Sequence, residues 1–151
     1  MIAAVAAAMA LTACGSSEPE LTPAACLGSA DDYLQALTAD PTGAALDGGV
    51  AIRDCLTEDQ APGDLSRVGQ ALIETATKLE GEADADPGGD ATVALGYLVG
   101  SVDEAAAETS GIHTDLVRRI DSTVRAGGRG GQAEEFQSAF DEGYEAAQAG
   151  G

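Results

Sequence analysis

The sequence is poor in the residues from which many catalytic and nucleic-acid-binding sites are built. It contains no tryptophan, one histidine (His113) and one lysine (Lys78), and 3% of its residues are aromatic. The single histidine excludes metal centres made of several histidines. Only 7 basic residues stand against 26 acidic ones, for a formal net charge of −19. Such a surface repels phosphate backbones, so we expect no nucleic-acid partner.

Long apolar runs are also missing. The N-terminal apolar segment Ile2–Met9 is shorter than the roughly 20 residues that a helix needs to cross a bilayer. It leads into Leu11-Thr12-Ala13-Cys14, and a polar stretch follows from Gly15. An apolar segment, small residues and then a polar continuation are typical of a secretory signal. No Lys or Arg precedes Arg53, so we expect the positively charged start of the signal to lie upstream of Met1.

Residues 11–14 resemble the lipobox of bacterial lipoproteins, in which a leucine, two small residues and a cysteine are recognised together. The resemblance implies that residues 1–13 are a signal peptide, cleaved before Cys14. It also implies a diacylglyceryl thioether on the Cys14 thiol, and two or three acyl chains hold a protein stably at a membrane. We therefore expect a membrane-anchored, extracytoplasmic protein whose candidate partners are envelope proteins.

The part that follows the signal is expected to hold a tether and one domain. Residues 14–23 are rich in glycine, serine and proline, which keep a chain flexible or extended. Residues 24–151 are long enough for a single domain with a modest core.

Two cysteines remain beside the lipidated one, Cys26 and Cys55. An even number of cysteines outside the cytoplasm indicates a disulfide. This bridge would close a loop of about 30 residues, worth roughly 3–4 kcal/mol. The alternatives are two buried free thiols or a metal-binding pair. The sequence has no CxxC motif, which favours the disulfide over a metal site.

Apolar residues recur at steps of three and four, which predicts helices, and no segment alternates convincingly with period two. We expect Asp64 and Asp90 to be N-caps, Ser110-Gly111 to interrupt the helical pattern, and Gly96 and Gly100 to let a neighbouring helix approach closely. The result is an all-α bundle of five to six mostly antiparallel helices. Five of the predicted helices cover Ala24–Thr38, Gly43–Leu56, Asp64–Ala83, Ile112–Ala126 and Gln132–Ala149, and one more begins at Asp90.

The remaining chemical candidates each have a plainer structural explanation. His113 adjoins an apolar helical stripe and is expected to be a partly buried structural ring rather than a catalytic residue or a ligand. Lys78 is expected to pair with Glu74 one turn away. The glycine-rich segment 127–131 contains no lysine and is interpreted as a connector rather than a phosphate loop.

The acidic segment Glu80–Asp90 carries enough carboxylates to suggest calcium, but its spacing does not match an EF-hand loop. We interpret it as a solvated turn. Adjacent acids such as Asp31-Asp32 point about 100° apart on a helix and do not form a shared site. The sequence therefore predicts no catalytic residue, no cofactor and no metal site.

Two function classes follow, and an enzyme of unrecognised type stays open as a third. The first is a non-catalytic lipoprotein that acts as a helical interaction or envelope-structural module. The second is a carrier or sensor that binds a small or apolar ligand between its helices. The aromatic series Phe136, Phe140 and Tyr144 separates them, because it would line a cavity in a carrier and fill the core in an interaction module.

Overall fold

A computed structural model describes residues 21–126 and 132–150. The predicted signal peptide, Cys14 and the glycine-rich segment 127–131 lie outside these described residues. The predicted all-α fold is confirmed. The helices are α1 (Ala30–Ala39), α2 (Pro62–Ala85), α3 (Asp90–Glu108), α4 (Thr114–Ala126) and α5 (Ala133–Ala149).

The predicted helix Ala24–Thr38 is divided into two. A 3₁₀ turn at Ala24–Leu27 precedes α1, and Gly28 between them is extended. The backbone N–H and the Oγ of Ser29 donate to the Asp32 carboxylate at 2.7 and 2.8 Å, which fixes the start of α1. These hydrogen bonds lower the pKa of Asp32.

The predicted helix Gly43–Leu56 is wrong. This segment instead forms two short antiparallel strands, β1 (Ala45–Leu46) and β2 (Val50–Ala51), and then a 3₁₀ turn at Ile52–Cys55. The physical reason is the pair Gly48 and Gly49 between the strands, whose φ angles are +76° and +78°. Glycine adopts this left-handed region without steric cost, and a right-handed helix cannot continue through it.

The predicted N-caps Asp64 and Asp90 are also wrong, because each lies a few residues or one residue after the observed N-cap. Pro62 takes the first helical position of α2 with Ala61 as the N-cap, because the fixed φ of proline suits that position. Asp64 instead lies in the first turn, where its charge favours the helix dipole. Asp90 is the first residue of α3, after the N-cap Gly89.

The predicted interruption at Ser110-Gly111 is confirmed, since both residues have positive φ, +55° and +80°. α3 leads the chain back from the end of α2 towards its beginning. There, Ile112 and His113 of the turn before α4 lie beside Leu65 in the first turns of α2. Consecutive helices α2 and α3 are therefore antiparallel, whereas α2 and α4 run parallel. A single apolar core joins all the helices, and its largest fully buried side chains include Tyr33, Leu37, Ile52, Leu72, Leu79, Leu95, Leu98 and Ile120.

The most extensive helix contact joins α3 and α5, which also run parallel. Gly96 of α3 lies against the Phe140 carbonyl, and Gly143 of α5 lies against the Val93 carbonyl. A Cβ at Gly100 would come within 2.9 Å of the Ala147 Cβ. The close approach predicted at Gly96 and Gly100 is confirmed, and we call this contact the glycine seam.

The predicted disulfide is confirmed between Cys26 and Cys55, whose Cα atoms are 5.2 Å apart. Both residues are fully buried. The bridge ties the N-terminal 3₁₀ turn to the segment before α2. The Tyr33 hydroxyl reinforces this corner by donating to the Cys26 carbonyl at 2.8 Å, and burial raises the pKa of Tyr33.

Candidate functional site

The single histidine lies in the turn before α4 and is buried, as predicted, with 1% of its surface exposed. Its Nε2 lies 3.2 Å from the Thr57 carbonyl oxygen. A carbonyl only accepts, so Nε2 carries the proton and Nδ1 presents a lone pair. Nδ1 is buried and has no hydrogen-bond partner among the residues that the structure describes. Burial lowers the pKa of His113, which favours this neutral form.

His113 lines a groove that α2 and α4 form with the turn before α4. The groove has a volume of about 460 Å³, within the usual range of ligand pockets. Leu65 and Leu116 give it an apolar floor, and Ile112 stands at its edge with 55% of its surface exposed. The other lining residues are Ser66, Gly69, Gln70, Asp115 and Arg119. We call this feature the α2–α4 groove.

The charges at the edge of the groove are not balanced. Asp115 pairs with Arg118 at 3.3 Å. Arg119, which lines the groove, is exposed and makes no ion pair or hydrogen bond through its side chain with any residue in 21–126 or 132–150. In a chain with 26 acidic residues, an unpaired arginine beside an unpartnered histidine is a local exception. Both residues line the groove, His113 as a buried neutral ring and Arg119 as an exposed cation.

The sequence analysis placed the groove residues in predicted helices, but no sequence feature indicated that they would form a groove. Leu65 and Leu116 belong to predicted apolar stripes, and His113 was expected to be structural. The missing signal is spatial, because α2 and α4 are separated in sequence by the whole of α3.

The predicted pair of Lys78 and Glu74 is confirmed at 3.3 Å, and Lys78 also reaches Asp31 of α1 at 2.7 Å. The hydrogen bond that the Lys78 Nζ donates to the Asp31 carboxylate is the main cause that raises the pKa of Lys78. This side chain therefore links two helices on the surface. It is not held in the neutral form that a nucleophilic lysine requires.

The aromatic series on α5 is part of the core. Phe136 and Phe140 stack with ring centroids 5.7 Å apart, and Phe140 and Tyr144 follow at 6.3 Å. Phe136 is buried, and the other two rings pack against the core cluster. The Tyr144 hydroxyl donates to Asp103 at 3.0 Å, and burial raises the pKa of Asp103. The series therefore packs in the core, and Phe140 and Tyr144 belong to the contact with α3.

The acidic segment Glu80–Asp90 forms the last turns of α2, a short connection and the first residue of α3. Across residues 21–126 and 132–150, no three or more His, Cys, Asp or Glu side chains are gathered in a geometry that could hold a metal ion. Within the same residues, no helix combines the length and apolar character needed to cross a membrane.

Comparisons with protein families, with curated proteins and with solved structures find no match to this chain.

Proposed function

We propose that this protein is a lipid-anchored, extracytoplasmic bacterial lipoprotein whose helical domain acts as a non-catalytic interaction module of the cell envelope. The observation that carries the proposal is the lipobox-like Leu11–Cys14 after an apolar segment. The bridge between Cys26 and Cys55 supports it, because stable disulfides are typical of compartments outside the cytoplasm.

The packing of the domain supports an interaction module over a carrier that encloses its ligand. The α5 aromatic series, which would line such a cavity, packs against α3 and the core. The glycine seam leaves no room between α3 and α5. The α2–α4 groove, with a volume of about 460 Å³, lies at the surface, where Ile112 and Arg119 are exposed. The domain therefore offers partners its outer faces.

The anchor is tested by expressing the full chain in a bacterium, behind an added positively charged signal start. We expect the wild-type protein in the membrane fraction, with a mature N-terminus at Cys14 that carries acyl mass. Cys14→Ala should release the protein from membranes. Unmodified wild-type protein with residues 1–13 retained would overturn the anchor.

The interaction role is tested separately by photo-crosslinking in cells. A crosslinking amino acid is placed at exposed positions on three helices and on the turn before α4, namely Gln35, Thr77, Gln137 and Ile112. We expect a discrete adduct with an envelope protein from at least one position, and no adduct at that position without irradiation. The absence of any adduct from all four positions would overturn the interaction role while leaving the anchor intact.

A further inference from the structure

We propose that one end of the helical domain docks on the lipid bilayer that holds the anchor, with the side chains of Leu21 and Ile112 in the lipid interface. This end, which we call the tether end, is formed by residues 21–23, 57–60 and 109–112. The proposal rests on the proposed lipid anchor, because the anchor brings this end to a membrane. It adds a defined orientation to the anchored domain.

The tether end carries both of the large apolar side chains that are exposed in the described part of the chain. Leu21 is 85% exposed and Ile112 is 55% exposed. Leu21 lines a surface cleft together with Thr109, and the Ile112 N–H donates to the Thr109 carbonyl at 3.1 Å. Exposed apolar side chains scattered singly need no explanation, whereas two at the same end of a bundle mark a candidate contact surface.

The turn that presents Ile112 has a fixed and partly strained shape. Ser110 has a φ angle of +55°, in the left-handed region that costs energy for a residue with a side chain. The Ser110 Oγ donates to the Glu58 carboxylate at 3.1 Å, and the Thr114 Oγ1 donates to the Gly111 carbonyl at 2.6 Å. A strained turn that leaves its apolar side chain exposed indicates that Ile112 makes a contact outside the domain.

The tether leaves the domain from a fixed point at this end. The Gln60 Nε2 donates to the Thr22 Oγ1 at 3.0 Å and to the Cys55 carbonyl at 2.9 Å. The Cys26 N–H donates to the Pro23 carbonyl at 3.0 Å, and the disulfide joins Cys26 to Cys55. Thr22 and Pro23 are thereby tied to the body of the domain, so the fold sets the point of exit.

The tether is short enough to keep this end near the membrane. Leu21 follows Cys14 by seven positions, which span at most about 25 Å of extended chain. Docking of an anchored domain is intramolecular, and a short linker gives an effective concentration in the millimolar range. Two apolar side chains are therefore enough to orient the anchored domain, although they are too few to recruit free protein to a membrane.

The charges at the tether end determine which lipid surface it fits. Asp54, Glu58 and Glu108 line the cleft at this end and are exposed. Arg53, which lines the same cleft, is already paired with Glu104 at 3.1 Å. Lipids without net charge are therefore the better surface, because anionic headgroups repel these carboxylates.

The test uses the full chain, isolated with its acyl groups and placed in vesicles of phosphatidylcholine. The chain contains no tryptophan, so the variant Ile112→Trp reports on this position alone. The acyl chains of the lipid carry bromine, which quenches tryptophan on contact. We expect blue-shifted emission that is quenched by about half, because an interfacial side chain lies about 5–10 Å into the boundary between headgroups and acyl chains.

Gln137→Trp is the matched control, because Gln137 is exposed on α5 at the other end of the bundle. Gly143 of α5 lies against the Val93 carbonyl, and Gln137 precedes Gly143 in the parallel helix. Thr109 of the tether end follows Val93 by sixteen positions, which is about 24 Å of helical rise. The emission of this control should not be quenched.

A second variant and the salt concentration then identify the forces. Leu21→Ser, added to the Ile112→Trp protein, should lower the ratio of docked to undocked domain about fivefold while the acyl anchor stays in place. On vesicles that contain an anionic lipid, docking should be weaker at about 20 mM salt and should recover at about 0.5 M, because salt screens the repulsion.

Each other outcome overturns a defined part of the proposal. Equal quenching of Ile112→Trp and Gln137→Trp, or none in either, would overturn docking, and acyl mass on the same protein would show that the anchor stands. A blue shift without quenching that grows with protein density would mean that a second copy covers Ile112. Stronger docking on anionic vesicles at low salt would assign the contact to Arg118 and Arg119 of α4 and overturn the apolar contact. Protein without acyl mass would overturn the anchor itself, and docking with it.

Discussion

The pairs α3–α5 and α2–α4 both run parallel, yet α3–α5 is closed backbone against backbone and α2–α4 is open as a groove. At the seam, Gly96, Gly100 and Gly143 remove side chains from both helices, so each backbone lies against the other. At the groove, one glycine, Gly69, faces the larger Leu116. Interaxial distance depends on the side chains at the contact.

This difference separates a closely packed helix pair from one that keeps open volume at the surface. The seam also carries the aromatic series and the hydrogen bond between Tyr144 and Asp103, so its polar and apolar groups are engaged. Among the described residues, two polar groups at the groove have no hydrogen-bond or ion-pair partner, namely Nδ1 of His113, which is buried, and the guanidinium of Arg119. One side of the bundle is therefore closely packed, while polar groups on another side lack hydrogen-bond partners among the described residues.

The largest effect is expected from Gly143→Ala in the seam. The added Cβ would meet the Val93 carbonyl and would lie 2.8 Å from the Tyr97 nitrogen. Both contacts are with backbone and cannot rotate away. We expect the free energy of unfolding in urea to fall by about 3 kcal/mol or more. Gly81→Ala is the control, since Gly81 lies inside α2 with nothing within 4 Å of the added Cβ, and it should gain up to about 1 kcal/mol. Similar results for both variants would show that the seam is not closed.

A smaller loss is expected from Tyr144→Phe, which removes the 3.0 Å hydrogen bond to Asp103 between the two seam helices. The partly buried carboxylate loses its donor, at a cost of about 1 kcal/mol near neutral pH. Tyr97→Phe is the matched control on α3, because no hydrogen bond of the Tyr97 hydroxyl is found among the described residues, and it should stay within about 0.5 kcal/mol.

The pH dependence of the Tyr144→Phe loss identifies its cause. The pKa of Asp103 is raised by burial, so the carboxyl becomes neutral at a higher pH than usual. The difference between wild type and variant should shrink as the pH falls through this pKa. A difference that does not change with pH would point to packing rather than to the hydrogen bond.

In the groove, the ionisation of His113 gives a third prediction. Its folded-state pKa is lowered by burial, so at a pH below its unfolded value, about 6.5, the unfolded chain binds a proton that the folded chain does not. Stability is therefore complete above that pH and declines as the pH falls towards the folded pKa. Relative to His113→Gln, wild type should lose about 1 kcal/mol between pH 7.5 and 5.5.

The comparison is clean because His113 is the only histidine in the chain. The carboxylates are common to both proteins, so subtracting the two urea-unfolding curves removes their contribution. A difference that is flat across this range would mean that His113 titrates as freely in the folded protein as in the unfolded one.

The sequence predicted the helical class, the disulfide and the close approach at Gly96 and Gly100, because these depend on period, residue type and parity of cysteines. It did not predict the strands at Ala45–Leu46 and Val50–Ala51. There the inward positions Leu46 and Ile52 fit a helical pattern equally well, and the positive φ of two glycines decided the outcome. The groove was beyond reach for another reason. Its two helices are not consecutive, and the missing partner of Nδ1 is a property of the folded surroundings rather than of any motif.

The smallest effect on stability is expected from Gly69→Ala, at the one glycine that faces the groove from α2. Its added Cβ would lie 3.7 Å from the Leu116 Cδ1, an ordinary van der Waals distance, in contrast to Gly143. The variant should gain about 0.5 kcal/mol in urea unfolding, because alanine favours the helix more than glycine. A loss of several kcal/mol would mean that α2 and α4 are packed as tightly as the glycine seam, and the contrast between the two helix pairs would then be wrong.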